Sequence, residues 1–376
     1  MSVFLICEFD PLHRGHVYIM NRAKELYPDS PLVCVMSGNF VQRGAPASAD
    51  KYARAKAAVL CGADLVLSIP FPFCSGSAEY FAAGALSVVS GFYGPGDVLI
   101  FGSECGDIGE LEKVSERLCS EAFDRKLRDL IAARKTPYAK ARQALYGELY
   151  GECVLLQSRN DILALEYIKA AKKLDLSLKF TPVKRDPRFL SASYIRQSDD
   201  PLPFLPDAMK AELTAASRTG AYPAKYENFE KALIYHLRTV SDTDTAEGGH
   251  GAIGRLKNAA DKAENVKDLF EYASSSVYTD AKLRRALLFS VLRIRKEDLH
   301  KTPSYTQLLA ANKRGLSVLA AERKDPKIRV VTKPADHADV FGAERRADEL
   351  YCMLTPKTLQ KGEYMKRSPY IKEENE

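Results

Sequence analysis

The segment Glu8-Phe9-Asp10-Pro11-Leu12-His13-Arg14-Gly15-His16 holds two of the chain's six histidines within four residues. Imidazoles three positions apart in a first helical turn project to one face. A helix N-terminus adds unpaired N–H groups and the positive end of the helix dipole. Such a pair can donate hydrogen bonds to phosphoryl oxygens as negative charge builds up in a transition state, which is electrostatic catalysis without a covalent intermediate. Gly15 between them lets a nucleotide approach the backbone closely. A lone histidine is more often a cap or a surface residue; two in one turn, directly after an apolar run, favour phosphate handling.

That turn needs a strand before it and a helix after it. Short apolar runs at Ser2 to Cys7, Pro31 to Met36, Asp64 to Ile69, Asp97 to Phe101 and Ser177 to Val183 predict strands. Amphipathic stretches at about 16–27, 50–61, 77–90 and a cluster from 108 to 174 predict helices between them. The alternation predicts an α/β fold with a doubly wound, Rossmann-like parallel sheet, whose ligands bind at the carboxyl ends of the strands. After Asp199-Asp200-Pro201-Leu202-Pro203 helical patterns dominate, at about 207–217, 226–240, 255–264, 266–275 and 279–295. Gly248-Gly249-His250-Gly251 reads as a flexible loop, and short apolar runs at 317–320 and 328–332 leave room for a small α/β element. The expected division is a catalytic, nucleotide-binding domain over 1–200 and a mainly α-helical, basic domain over 201–376.

A chain of 376 residues with 46% apolar residues is neither a peptide, a fibre nor wholly disordered. Its net charge of +6 is uneven: residues 1–200 carry 25 basic and 24 acidic side chains, whereas 282–333 carries 14 and 4. On a helix over 282–295, Leu283, Leu287, Val291 and Ile294 form an apolar stripe, and Lys282, Arg285, Arg293 and Lys296 fall near another face. Lys313, Arg314, Arg323, Lys324, Lys327 and Arg329 extend the charge. Such a face suits RNA phosphates, with salt-sensitive binding through Lys282, Arg285 and Arg293; a solvated helix face is the bland alternative. The eight cysteines lack C-x-x-C spacing and read as small buried hydrophobes of a reducing compartment, not zinc ligands. The N-terminus has no basic leader and no stretch approaches 18 apolar residues, so the expected location is the cytoplasm, away from membranes.

The H-x-G-H with its preceding E-x-x-P resembles the signature of the nucleotidyltransferase α/β phosphodiesterase superfamily. Met36-Ser37-Gly38-Asn39-Phe40-Val41-Gln42-Arg43-Gly44-Ala45-Pro46, Asp50-Lys51-Tyr52-Ala53-Arg54, Ala63-Asp64-Leu65-Val66-Leu67-Ser68-Ile69-Pro70 and Phe101-Gly102-Ser103-Glu104 narrow the resemblance to the tRNA(Met) cytidine acetate ligase family. The resemblance implies a HIGH nucleotidyltransferase fold and a ligase that activates acetate with ATP as acetyl-adenylate, then acetylates the N4 amine of the wobble cytidine of elongator tRNA(Met). It implies His13 and His16 as catalytic residues. It implies an ATP site of Ile6, Cys7, Glu8, Phe9, Asp10, Pro11, Leu12, His13, Arg14, Gly15, His16, Val17, Tyr18 and Ile19, with Gly102, Asn160 and Arg185. Mg²⁺ is expected with the triphosphate, with no metal site of the protein's own; oligomeric state is open.

Each carried-over residue also has a physical reading. Gly102 ends a strand where a side chain would block adenosine. Asn160 near a helix start caps it or bonds the nucleotide, the cap being the commoner outcome, and Arg185 holds phosphate or is solvated. Ser191-Ala192-Ser193-Tyr194-Ile195-Arg196 reads equally as a second phosphate motif or as an N-capped helix with a surface arginine. Arg43 and Lys51 are placed to steer acetate or a phosphate, although a helix lysine is ordinarily a surface residue. The chain departs from the family at Asp10 (usually Asn), Leu12 (usually Phe) and Ser274-Ser275-Ser276-Val277 (usually basic). Asp10 adds a carboxylate able to bind a divalent metal or to weaken nucleotide binding. The alternative function is a nucleotidyltransferase acting on a small phosphorylated or carboxylated metabolite, which leaves the basic half without a task.

Overall fold

The computed structural model describes residues 1–134, 138–242, 244–247, 249–322 and 327–373. Its centre is a sheet in the order β5-β4-β1-β2-β3-β6-β7, with β8 also on β6. The strands are β1 (Val3–Cys7), β2 (Leu32–Ser37), β3 (Leu65–Ile69), β4 (Val98–Ser103), β5 (Lys179–Lys184), β6 (Tyr305–Ala311), β7 (Arg329–Val331) and β8 (Tyr370–Ile371). The first five are parallel, as their apolar, doubly covered sequences predict. Helices α1 (Arg14–Leu26), α2 (Lys51–Leu60) and α3 (Ala78–Phe92) connect them. The chain runs from β1 outward to β3, then returns to lay β4 on the other flank of β1. This reversal puts a crevice at the carboxyl ends of β1 and β4, the ligand position of a doubly wound sheet. The His13–His16 turn follows β1 directly.

Residues 202–300 are helical among those described, as read. From Tyr305 the chain does something the sequence reading missed: it returns to the sheet. β6 pairs antiparallel with β3, so the sheet is mixed, and every residue of the YTQLLAA strand is buried. Thr306 Oγ1 donates to Ser68 O at 2.7 Å, and Asn312 Nδ2 donates to Asp64 Oδ1 at 2.8 Å. A Cβ on Gly315 would lie 2.0 Å from Asp64 O, so only glycine permits this approach. The sheet therefore draws three strands from the half read as mainly helical.

Three local expectations are corrected. A helix begins at Gly249 in place of a loop over 248–251, Gly248 lying outside the described residues. The helix expected over 279–295 ends at Val291, and Arg293 turns the chain with φ of +53°. Of the cysteines read as buried, Cys119 is exposed and Cys61, Cys105 and Cys153 are half-buried; all eight are free thiols. No helix of the described residues is long and apolar enough to cross a membrane.

Lys51 is the largest departure from expectation. It is fully buried, with Nζ 3.0 Å from Glu344 Oε1 and 2.9 Å from Asp348 Oδ2 on the helix Gly342–Met353. Asn39 Nδ2 donates to Asp348 Oδ1 at 2.8 Å and Phe71 N donates to Glu344 Oε2 at 2.8 Å, so the cluster fastens the C-terminal helix to the loops after β2 and β3. Burial opposes the charge on Lys51, but Asp348 and Glu344 outweigh it and raise its pKa. Burial, against the pull of Lys51 and with Glu344 adding to it, lifts Asp348 to about 6. Lys51→Met would strand two carboxylates in the interior at a cost of roughly 3–5 kcal/mol. Urea unfolding at pH 7 should show that loss, and it should shrink as pH falls towards 5 and Asp348 takes up a proton; a loss at pH 7 below about 1 kcal/mol contradicts the cluster's role.

Candidate active site

The first turn of α1 is capped by its own histidines. His13 is the N-cap, and its Nδ1 accepts from Gly15 N at 3.0 Å; His16 Nδ1 accepts from His13 N at 3.3 Å. A main-chain N–H can only donate, so both Nδ1 atoms are unprotonated and each neutral ring carries its hydrogen on Nε2. Neither Nε2 has a protein partner among the described residues. The rings stack with centroids 3.8 Å apart, and Phe9 meets His16 edge-on at 5.1 Å. Burial, with the charges of Arg196 and Arg185, lowers His13 to about 4. Burial, then His13 and Arg196, holds His16 well below its usual value. Both are thus neutral donors at physiological pH. Gly15 is also crowded by the capping ring: a Cβ there would lie 2.9 Å from His13 Cε1 and 3.2 Å from Phe189 Cβ.

Two arginines and a serine fix the loop before this turn. Asp10, 1% exposed, accepts from Arg43 Nη2 at 2.5 Å through Oδ2 and from Ser48 N and Oγ at 2.8 Å through Oδ1. Arg196 donates to Asp10 O, and its Nη2 reaches Ser193 Oγ at 3.1 Å. Burial would raise the pKa of Asp10, but Arg43, Arg196 and the Ser48 N–H outweigh it and hold the carboxyl at about 2. Asp10 therefore does not fit a magnesium ligand, since both oxygens are taken. Among the described residues no group of three or more His, Cys, Asp or Glu is placed to hold a metal. Glu8 accepts from Gln42 N at 2.6 Å, and burial raises its pKa.

Beneath them lies Arg54, fully buried although it is charged. It donates to Glu8 O, Ser37 O, Gly38 O and Ala49 O, joining the carboxyl ends of β1 and β2 to the start of α2. The sequence pattern assigns no role to Arg54, Ser48 or Arg159, which the fold brings to Glu8, Asp10 and Arg196 respectively. The available signal was an arginine set among alanines in a helix with little polar surface.

The remaining expected residues distribute as follows. Ile6 and Cys7 lie buried in β1, and Phe9, Pro11 and Leu12 are buried in the turn. Arg14, Val17 and Tyr18 line an outer groove of about 420 Å³ with Phe189, whose ring lies 5.4 Å from Tyr18. Gly102 sits at the end of β4, where a Cβ would come within 3.3 Å of Ile19 Cδ1. Asn160 is not the cap, that position being Ser158; its Nδ2 donates to Glu104 Oε1 at 2.9 Å. Arg185 is exposed directly after β5, near enough to lower His13. Arg196 is drawn inward to Asp10, not left on the surface; burial, with Arg43 and Arg159 close by, lowers its pKa.

Residues 1–366 match the family model for HIGH Nucleotidyl Transferase. A tRNA(Met) cytidine acetate ligase of Caldanaerobacter subterraneus subsp. tengcongensis is 31% identical over 357 residues, covering 89% of this chain and 88% of the relative. The chain belongs to the tRNA(Met) cytidine acetate ligase family, within the HIGH nucleotidyl transferases. A relative of the same name from Thermotoga petrophila is 32% identical, covering 86% of this chain and 85% of its own. The crystal structure of Thermotoga maritima TmcAL bound with alpha-thio ATP superposes with a TM-score of 0.91 at 27% identity, covering 99% of both chains. The family fold thus extends through the helical part and the closing strands.

The cations expected to face RNA do not share one surface. Arg285 lies inward, its side chain 11% exposed, with Nε 3.4 Å from Glu247 Oε2 and its backbone against Gly44. Lys282 is half-buried over the Tyr278 ring, and Arg293 is exposed beyond the helix. Arg295 pairs with Asp242 and Asp244, and Arg329 with Asp339; Arg323 and Lys324 lie outside the described residues.

Two measurements check this geometry. Long-range ¹⁵N–¹H NMR of the imidazoles should find His13 and His16 neutral with hydrogen on Nε2 at pH 6.5; imidazolium shifts there contradict the assignment. Asp10→Asn should lower stability at neutral pH, and because the folded pKa lies below the unfolded one, that difference should fade as pH drops from about 4 to about 2. A difference independent of pH contradicts the ion pair.

Proposed function

We infer that this chain is an ATP-dependent ligase that activates acetate as acetyl-adenylate and passes the acetyl group to the N4 amine of the wobble cytidine of elongator tRNA(Met). The observation that carries the reading is the pair of neutral, backbone-fixed histidines in the switch-point crevice of a chain that matches named tRNA(Met) cytidine acetate ligases over 86–89% of its length. The similarity runs through the helical half, which supports a tRNA substrate over the alternative of a small metabolite.

The chemistry follows from the donors. A carboxylate oxygen of acetate attacks the α-phosphorus of ATP, and the bond to pyrophosphate breaks as that group leaves with the electron pair. Nε2–H of His13 and His16, with the N–H groups of the α1 N-terminus, would stabilise the charge on the α-phosphoryl oxygens. Because both rings are already neutral donors, no proton has to move in this step. Arg185, Arg196 and Arg159 supply positive charge where the pyrophosphate forms. ATP commonly travels with Mg²⁺; among the described residues no group of carboxylates is placed to hold it, so it would be carried by the phosphates and water. The cytidine amine then attacks the acyl carbon of the adenylate, AMP leaves, and one proton is lost from nitrogen. Of the expected RNA contacts, Lys282 and Arg293 keep access to solvent, and we assign tRNA phosphates to them.

His13→Ala and His16→Ala should each lower acetate-dependent ATP–pyrophosphate exchange by about a hundredfold or more, as loss of an oxyanion donor does. Exchange within about threefold of the unaltered protein in either variant would remove the histidines from the reaction.

A further inference from the structure

Five charged side chains converge at the end of β1. Asp10 and Arg54 are buried, Glu8 and Arg196 half-buried, and the Arg43 side chain is 27% exposed. Three guanidinium groups against two carboxylates leave one positive charge without a carboxylate partner within this group. Arg54 is committed to carbonyls, and Arg196 to Asp10 O and Ser193. Arg43 makes one hydrogen bond among the described residues, from Nη2 to Asp10, so the second Nη2 hydrogen and one neighbouring N–H still form an open two-point edge. Asp280, the other carboxylate near it, is held by Arg284 Nε at 2.8 Å.

The loop that carries Arg43 is rigid. Val41 N donates to Ala45 O at 3.0 Å, Gly44 N to Val41 O at 2.8 Å, and Tyr226 OH to Gly44 O at 2.5 Å. Gly44 has φ of +72°, and a Cβ there would lie 2.5 Å from Arg285 N, so the loop is pressed against the helix Asp280–Val291. Across from it, the segment 222–226 is tied down by Ala224 N donating to Ser48 O at 3.1 Å, which brings Tyr222 towards Asp10. The loop that carries Arg43 is therefore anchored to fixed backbone on two sides. Arg196 links it to the histidines, because it touches Asp10 and its charge is felt by both rings.

We propose that the open edge of Arg43, oriented by Asp10, is the seat of the small carboxylate substrate, gripping it by a planar two-point contact beside the α-phosphate site. A guanidinium matches a carboxylate in this way and an ammonium does not. A single monoanion also neutralises the cluster's excess charge. The proposal rests on the ligase reading for the identity of the acid. Asp10 here is a positioning residue: it fixes the guanidinium and touches no substrate.

Saturation-transfer NMR on the methyl group of acetate tests the seat without turnover, using the full chain with α,β-methylene-ATP. The unaltered protein should give transfer, and Arg43→Gln should weaken it roughly tenfold or more, by clearly more than it weakens analogue affinity. Arg43→Lys, which keeps a charge opposite Asp10 and so guards against misfolding, should also fail to restore it. Equal transfer in Arg43→Gln, no transfer in the unaltered protein, or a selective loss of analogue affinity would overturn the proposal, the last by assigning Arg43 to the triphosphate. Failure of the ligase reading is a separate result: acetate bound through Arg43, yet no acetyl group on tRNA.

Discussion

Four main-chain carbonyls at the edge of the sheet converge on one buried guanidinium, that of Arg54. A charge so far from water is costly unless its donors are satisfied. The loops after β1 and β2 and the start of α2 satisfy it together, so none can shift without leaving Arg54 short of acceptors. Above this anchor, Asp10 joins the same loops again through Arg43 and Ser48, and Lys51 with Asp348 and Asn39 extends the lattice to the C-terminal helix. Much of the polar interior serves to hold two loops at one separation.

The histidine pair depends on that separation. Its hydrogen bonds are short-range, yet the backbone that donates them is the segment Asp10 and Arg54 hold in place. Once Nδ1 of each ring is spent on the backbone, Nε2–H is the only donor left and the direction it faces is fixed. Burial and the neighbouring arginines keep the rings neutral, which suits them to donate without exchanging a proton. Positive charge comes instead from guanidinium groups that cannot lose theirs near neutral pH. The site divides its labour: fixed charge from arginine, aimed dipoles from histidine and the helix end.

The first five strands and α1 to α3 were legible because they are local patterns of apolar runs, amphipathic spacing and turn residues. The histidine turn was legible for the same reason, two rare residues at a spacing with chemical meaning. β6 was not, because its partner β3 lies some 240 residues earlier and YTQLLAA carries no alternation. Lys51 looked like a surface residue because its partners are 293 and 297 positions away. Asp10 looked like a metal ligand or a liability because Arg43 and Ser48 are not sequence neighbours. The basic stretch after 282 misled in the opposite sense: a helix projection put Lys282, Arg285 and Arg293 on one face, but the helix stops at Val291 and Arg285 meets Glu247.

In the proposed reaction, this crevice activates acetate for transfer to tRNA. Mass spectrometry of tRNA nucleosides from cells lacking the chain tests it most directly. N4-acetylcytidine should be lost from elongator tRNA(Met) and restored by the unaltered gene but not by one encoding His16→Ala. An unchanged level of N4-acetylcytidine in those cells would contradict it.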